Sequence, residues 1–158
     1  MKKLKRILLA EDDPVDRKLT LRALTEHNLA NHVDVAKDGA EALDYLYRKG
    51  KFAERPEGHP LLVLLDIKMP KIDGLEVLRR VKADADLQVI PVVVLTSSHE
   101  ERDLVQSYRL GVNAYVVKPM EFDGFVKAVK ELAVFWALLN EPPPETSAII
   151  PDLPKGDP

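Results

Sequence analysis

Cysteine is absent from the 158 residues, which rules out disulfides, thiolate metal centres and a cysteine nucleophile together, and suits a reducing cytoplasmic location. No stretch approaches the roughly 20 apolar residues that a membrane helix needs. The basic start over residues 1–6 is followed only by Ile7 to Ala10 before Glu11-Asp12-Asp13, too short an apolar run for a signal peptide's core. Neither sign of charge is in excess: 23 Lys and Arg against 26 Asp and Glu give a net charge of -3. No basic field therefore points to nucleic acid or to an anionic membrane. No glycine-rich loop follows the first apolar run, which argues against a dinucleotide site, and no internal repeat is visible.

What the chain does contain is the block Leu61-Leu62-Val63-Leu64-Leu65, with neither a helical nor an alternating period. Such a run fits a strand buried on both faces of a parallel sheet, and it ends on a carboxylate, Asp66. In an open α/β sheet the C-terminal strand ends open the crevice where ligands bind, so Asp66 sits at a binding edge. Met69-Pro70 and Asp73-Gly74 then turn the chain back. Taken alone, an acid at that place fits a helix cap as well as it fits a site.

The other segments repeat the pattern. Residues 7–10 read as a first buried strand. Asp13 is a good N-cap, Pro14 suits the first helical position and Asp16 adds negative charge to the first turn, so a helix runs to about residue 28. Residues 33–36 alternate and read as a strand nearer an edge, and Asp38-Gly39 opens a second helix with Ala42, Leu43, Leu46 and Tyr47 on one face. Residues 50–60, broken by Gly and Pro, form a connecting loop. After Asp66, residues 74–83 put Leu75, Leu78 and Val81 at helical spacing. Residues 90–95 are a further strand, with Pro91 tolerable only near its start, leading to Thr96-Ser97-Ser98. A helix over 99–110 has a weak apolar face, which suggests a mobile or partner-facing element, and ends at Gly111. Residues 114–117 are the last strand, followed by Lys118-Pro119. Phe122, Phe125, Val126, Val129, Leu132, Ala133 and Trp136 then give the most strongly amphipathic helix. Five β-α repeats predict one α/β domain over residues 5–138, a doubly wound five-stranded parallel sheet of order 2-1-3-4-5, flavodoxin-like, with five helices. Residues 139–158, rich in proline and poor in apolar groups, form a flexible tail.

In that strand order the first and third strands are neighbours, so Glu11, Asp12 and Asp66 meet in an acidic, oxygen-only pocket. Carboxylates without nearby His or Cys suit Mg²⁺, usually completed by water and phosphate oxygens. Thr96 and Lys118 end the fourth and fifth strands. A hard cation, a hydroxyl and an ammonium describe a phosphoryl site. There Asp66 forms an acyl phosphate as nucleophile, Mg²⁺ and Lys118 neutralise charge, and Thr96 donates a hydrogen bond. Singly, each piece has a plainer reading: a capping or solvated acid pair, a loop hydroxyl, a surface lysine. Agreement among four strand ends is what carries the argument.

Glu11-Asp12 after the first strand, Asp66 with Met69-Pro70 and Asp73-Gly74 after the third, Thr96-Ser97 after the fourth and Lys118-Pro119 after the fifth resemble the response-regulator receiver domain of two-component signalling. The resemblance covers residues 5–138. It implies that Asp66 is the phospho-acceptor, supplied by the phosphohistidine of a sensor histidine kinase. It further implies that Asp12 and Asp66 bind Mg²⁺ directly together with the backbone carbonyl of Lys68, with Glu11 acting largely through water. Thr96 and Tyr115 are implied as the switch pair, the hydroxyl moving towards the phosphoryl group and the ring turning inward. The plainer reading of Tyr115 is an edge-strand aromatic with its hydroxyl in water. Lys118 is implied to pair with a phosphoryl oxygen, placed by a cis Lys118–Pro119 bond, the isomer that X-Pro tolerates best. The Lys68 side chain is expected to affect the access of hydrolytic water.

The long 50–60 loop, the Leu95-Thr96-Ser97-Ser98 run and Phe135-Trp136 followed by prolines are similar to stand-alone regulators paired with bacterial phytochrome kinases. Nothing after Pro142 is expected to form an output domain. The implied partners are therefore the kinase, a downstream protein target or phosphotransfer protein, and a second copy of the chain. The 99–110 helix, the last strand and the last helix would carry the signal, with Phe135 or Trp136 buried in a homodimer. The protein would not be an enzyme beyond its own phosphotransfer and slow autodephosphorylation. Two other readings share these residues. An aspartyl-phosphate phosphatase would use the same acids, but places a second acid two residues after the nucleophile, where this chain has Lys68, and carries a cap insertion. A phosphorylation-independent binding module would keep only the fold.

Overall fold

Leu62 to Leu65 are each at most 1% exposed, which explains why this segment has no polar face: it lies at the centre of a parallel sheet with helices on both sides. A computed structural model of the protein describes residues 6–26, 32–119, 121–133 and 135. Its strands are β1 (Arg6–Ala10), β2 (His32–Ala36), β3 (Leu62–Leu65), β4 (Val92–Thr96) and β5 (Ala114–Val117). They alternate with helices α1 (Pro14–Glu26), α2 (Gly39–Tyr47), α3 (Gly74–Ala83), α4 (Glu101–Arg109) and α5 (Phe122–Ala133). Every neighbouring pair is parallel and the order is β2-β1-β3-β4-β5, as the β-α repeat predicts.

Alternation along the strands divides the core in two. Leu8, Ala10, Val63, Leu65, Val92 and Val94 pack with α2 and α3, whereas Ile7, Leu9, Leu62, Leu64, Val93 and Leu95 pack with Ala23 and Leu24 of α1 and Phe125 and Val129 of α5. Truncating one of these leucines to alanine costs about 2–5 kcal/mol. The helix starts follow the sequence: the carboxylates of Asp13, Asp38 and Asp73 accept the N–H groups of Asp16, Glu41 and Glu76 at 3.0, 2.8 and 2.9 Å. Among the described residues no helix is long and apolar enough to cross a membrane.

Several boundaries differ from expectation. Strand β4 starts at Val92, after Pro91, which has no N–H to give to a ladder, and it takes in Thr96. The 50–60 connection contains a 3-10 turn, Gly50–Phe52, and is pinned to α2 by Arg55. The Arg55 guanidinium lies 4.2 Å from the Tyr45 ring centroid and donates to the carbonyls of Tyr45 and Gly58 at 2.7 and 3.0 Å. Helix α4 is shorter than expected and its buried face is polar, formed by Asp103 and Ser107, while Leu104, Val105 and Tyr108 are exposed. On α5, Phe125 and Val129 are buried as expected, and Phe135 beyond it is exposed. Trp136, the 139–158 tail, residues 1–5 of the basic N-terminus and the expected end of the first helix near residue 28 lie outside the described residues.

Candidate functional site

Strand register extends beyond the strands and delivers the acids to one place. The Asp66 N–H donates to the Ala10 carbonyl at 3.0 Å, the Glu11 N–H to Ala36 at 3.0 Å and the Lys118 N–H to Thr96 at 2.7 Å. Each site residue thus continues the hydrogen-bond ladder of its own strand. The loop after Asp66 is anchored by buried Ile67 and Met69, and the Gly74 N–H closes it onto the Ile67 carbonyl at 2.8 Å. A side chain at position 74 would place its Cβ 2.1 Å from the Asp66 carbonyl oxygen, so only glycine allows this approach. The Ile67 N–H donates to Oδ1 of Asp66 at 2.7 Å and holds the carboxylate in place.

Carboxylate oxygens of Glu11, Asp12 and Asp66 all lie within 4.8 Å of one another. The Lys118 ammonium enters this group, donating to Glu11, to Asp16 at 2.8 Å and to Asp66 at 3.2 Å. Glu11, Asp66 and Lys118 are buried, with 2, 6 and 8% exposure. Burial, reinforced by the hydrogen bond and charge of Asp66, pushes the Glu11 carboxyl up to about 8, although Lys118 pulls in the opposite direction. For Lys118 burial acts downward, but its bonds to Asp16 and Glu11 and the charges of Asp66 and Glu11 outweigh it, raising the ammonium above the usual lysine range. Arg17 fixes the loop beneath, donating to the carbonyls of Glu11 and Asp12 at 3.1 and 2.9 Å.

This donor set fits a hard divalent cation. It offers three clustered carboxylates without nitrogen or sulfur, the oxygen-only set that such a cation prefers.

The remaining expected residues form a second, connected group. Thr96 is fully buried, and its hydroxyl oxygen accepts the Ser98 N–H at 3.2 Å. The half-buried Tyr115 donates from its hydroxyl to the Ser98 carbonyl at 3.1 Å, so Thr96 and Tyr115 both engage Ser98. The Ser98 hydroxyl in turn donates to the buried Asp103 of α4 at 2.6 Å. The Lys68 ammonium lies 3.7 Å from Asp103 and 4.0 Å from Glu100. One expectation is corrected. Among the described residues no peptide bond is cis, so Lys118–Pro119 is trans, the isomer that X-Pro favours by about 0.5–1 kcal/mol, and the lysine reaches all three carboxylates from it. Two participants were missed from sequence. Asp16 was read only as a first-turn acid, although its place one turn after the Glu11-Asp12 pair was a usable signal, and Asp103 gave no signal because its helix shows no apolar period that would orient it.

Comparison with known proteins agrees with this geometry. Residues 7–130 match the family profile of the response regulator receiver domain. The chain belongs to the response-regulator receiver family. The response regulator Rcp1 of Synechocystis sp. is 39% identical over 130 residues, covering 82% of this chain and 87% of Rcp1. The Mn²⁺-bound crystal structure of Rcp1 superposes with a TM-score of 0.83, over 89% of this chain and 99% of that one. The phosphorylated cyanobacterial phytochrome response regulator RcpA is 38% identical, with a TM-score of 0.84 over 90% of this chain and 100% of that one. The bacteriophytochrome response regulator AtBRR is 61% identical, with a TM-score of 0.71 over 89% of this chain and 100% of that one. As a receiver domain the protein is a phospho-accepting module of two-component signalling that uses a divalent cation and takes its input from a histidine kinase.

Proposed function

We propose that Asp66 is the phospho-acceptor and that the protein works as a stand-alone, cytoplasmic response regulator. The observation that carries this reading is the buried meeting of Asp66 with Glu11 and Lys118, beside Asp12, at the ends of β1, β3 and β5. An Asp66 carboxylate oxygen attacks the phosphorus of the kinase phosphohistidine. The P–O bond forms as the P–N bond breaks, and the electron pair returns to the imidazole nitrogen. Asp12, Asp66 and the Lys68 backbone carbonyl would hold Mg²⁺, with Glu11 acting through water, and the ion would supply positive charge against the phosphoryl oxygens. Lys118 pairs with a phosphoryl oxygen. The Thr96 hydroxyl donates to another, and Tyr115 gives up the Ser98 carbonyl as its ring turns inward. Water later hydrolyses the acyl phosphate slowly, and the Lys68 side chain limits its access.

The receiver unit takes in residues 5–138, and residues 139–158 act as a tail. Added charge of about -1.5 to -2 at Asp66 biases the surface formed by α4, β5 and α5, which engages a downstream protein, a phosphotransfer protein or a second copy of the chain. Exposed Leu104, Val105, Tyr108 and Phe135 support that placement of the output surface. A phytochrome-type kinase as the partner is supported by the likeness to AtBRR and RcpA. Intact mass after incubation with acetyl phosphate tests the reading, on the native chain and on Asp66→Asn, with Mg²⁺ or with chelator. A Mg²⁺-dependent gain of one acid-labile phosphoryl group, absent from Asp66→Asn, is expected. An equal gain in the variant would refute it.

A further inference from the structure

We infer that Asp16 is a positioning residue that competes with the phosphoryl group for the Lys118 ammonium, and thereby restrains how readily the pocket takes up phosphoryl groups. The inference rests on the acceptor reading given above. An ammonium has three protons to donate, and in Lys118 they go to Glu11, Asp16 and Asp66. Two of these acceptors belong to the metal-binding group of Glu11, Asp12 and Asp66; Asp16 does not. At 2.8 Å, Asp16 is also nearer to the ammonium than Asp66 is, at 3.2 Å. Its side chain is 30% exposed, against 3% for Glu11 and 8% for Asp66, so it meets the lysine at the mouth of the pocket.

Asp16 is not needed to cap α1. The Asp13 carboxylate already accepts the N–H groups of Val15 and Asp16, at 2.8 and 3.0 Å, and the Asp16 backbone carbonyl accepts the Thr20 hydroxyl at 2.8 Å. The neighbouring cation, Arg17, is turned to the carbonyls of Glu11 and Asp12. The Asp16 side chain is thus directed to Lys118 by a helix that is stabilised without it. A cation at Glu11, Asp12 and Asp66 would compete with Lys118 for two of its three acceptors, and Asp16 is the acceptor outside that group. Asp16 draws the ammonium towards the pocket mouth, so its movement onto a phosphoryl oxygen works against this ion pair, and an anionic donor entering the pocket meets this carboxylate's charge.

The test uses the full chain and its Asp16→Asn and Asp16→Glu variants, with Mg²⁺. Two quantities are read: the second-order rate constant for phosphorylation by acetyl phosphate, followed by intact mass, and the affinity for beryllofluoride, followed by calorimetry. Asp16→Asn should raise both by about two- to fivefold, within the range of an exposed ion pair, and Asp16→Glu should return them towards native values. The gain should persist at about 0.5 M NaCl, where long-range charge effects are screened and a contact with Lys118 is not. A merely structural Asp16 predicts a lower thermal midpoint with unchanged or slower uptake. That result, or a gain that vanishes at high salt, overturns the inference while the native chain still takes up phosphate. If the native chain takes up none, the acceptor reading falls first and this inference with it.

Discussion

Gly74→Ala isolates the placement of Asp66 from the chemistry of its carboxylate. The added Cβ would lie 2.1 Å from the Asp66 carbonyl oxygen, 2.8 Å from Ile67 Cα and 2.9 Å from the Asp66 carbonyl carbon. Ordinary contact begins at 3.4 Å, so a gap of 1.3 Å must open between the first turn of α3 and the end of β3. Neither side yields easily: Asp66 is tied to Ala10 by its N–H, and Val77 and Leu78 hold α3 in the core. Overpacking of this kind costs about 1–3 kcal/mol, which lowers the thermal midpoint by about 3–10 °C. Displacing a reacting group by about 1 Å costs on the order of 100-fold in rate. The assay pairs thermal unfolding with the rate of phosphorylation by acetyl phosphate, and uses Leu24→Ala as a control. That substitution removes a fully buried side chain from the other core layer, and should destabilise by about 2–5 kcal/mol while leaving the rate within about threefold. A Gly74→Ala protein that is phosphorylated at the native rate would refute the claim that this backbone contact positions Asp66.

Other consequences follow from the same geometry. Because Glu11 is pushed up to about 8 in the folded protein and titrates near 4.5 when unfolded, the unfolded chain loses this proton first. The metal-free protein should therefore lose stability as pH rises from about 5 to 8, and Mg²⁺ affinity should rise by up to about 25-fold between pH 6.5 and 8.5, as cation binding favours the ionised carboxyl. Calorimetry showing a flat affinity would exclude Glu11 from the metal response. Asp38→Ala removes the cap on Glu41 and should cost about 0.5–2 kcal/mol in chemical denaturation. A midpoint equal to native would show that the cap is replaced by water. Lys68→Ala should shorten the lifetime of the phosphorylated form by about two- to tenfold by admitting water, and an unchanged half-life would remove Lys68 from hydrolysis.

The elements readable from sequence were those whose signal lies within their own few residues. The β3 run and the α5 stripe describe their own burial, Asp13 and Asp38-Gly39 mark helix starts locally, and the strand order follows from the β-α repeat; Asp73, read as part of a turn, is also the cap of α3. Three of the pocket acids were legible for the same reason, since strand ends at the switch point converge whatever their side chains. What was not legible depends on packing between segments. Helix α4 docks through Asp103 and Ser107, so a search for an apolar face sees a weak helix and points away from the buried side. Asp16 has an ordinary helical role in sequence, and only the fold brings Lys118 to it across 102 positions. The trans Lys118–Pro119 bond likewise leaves no mark on composition, because X-Pro takes either isomer at little cost.

Of the four clustered carboxylates Glu11, Asp12, Asp16 and Asp66, the last is the one expected to carry the phosphoryl group. Reduction of the acetyl phosphate-treated protein with borohydride converts an aspartyl phosphate to homoserine, and peptide mass mapping then identifies the position. Homoserine is expected at position 66 in the Mg²⁺-treated sample and not in the sample with chelator. Homoserine at position 12 or 16, or a phosphoryl group that resists acid and maps to a hydroxyl side chain such as Thr96, would contradict it.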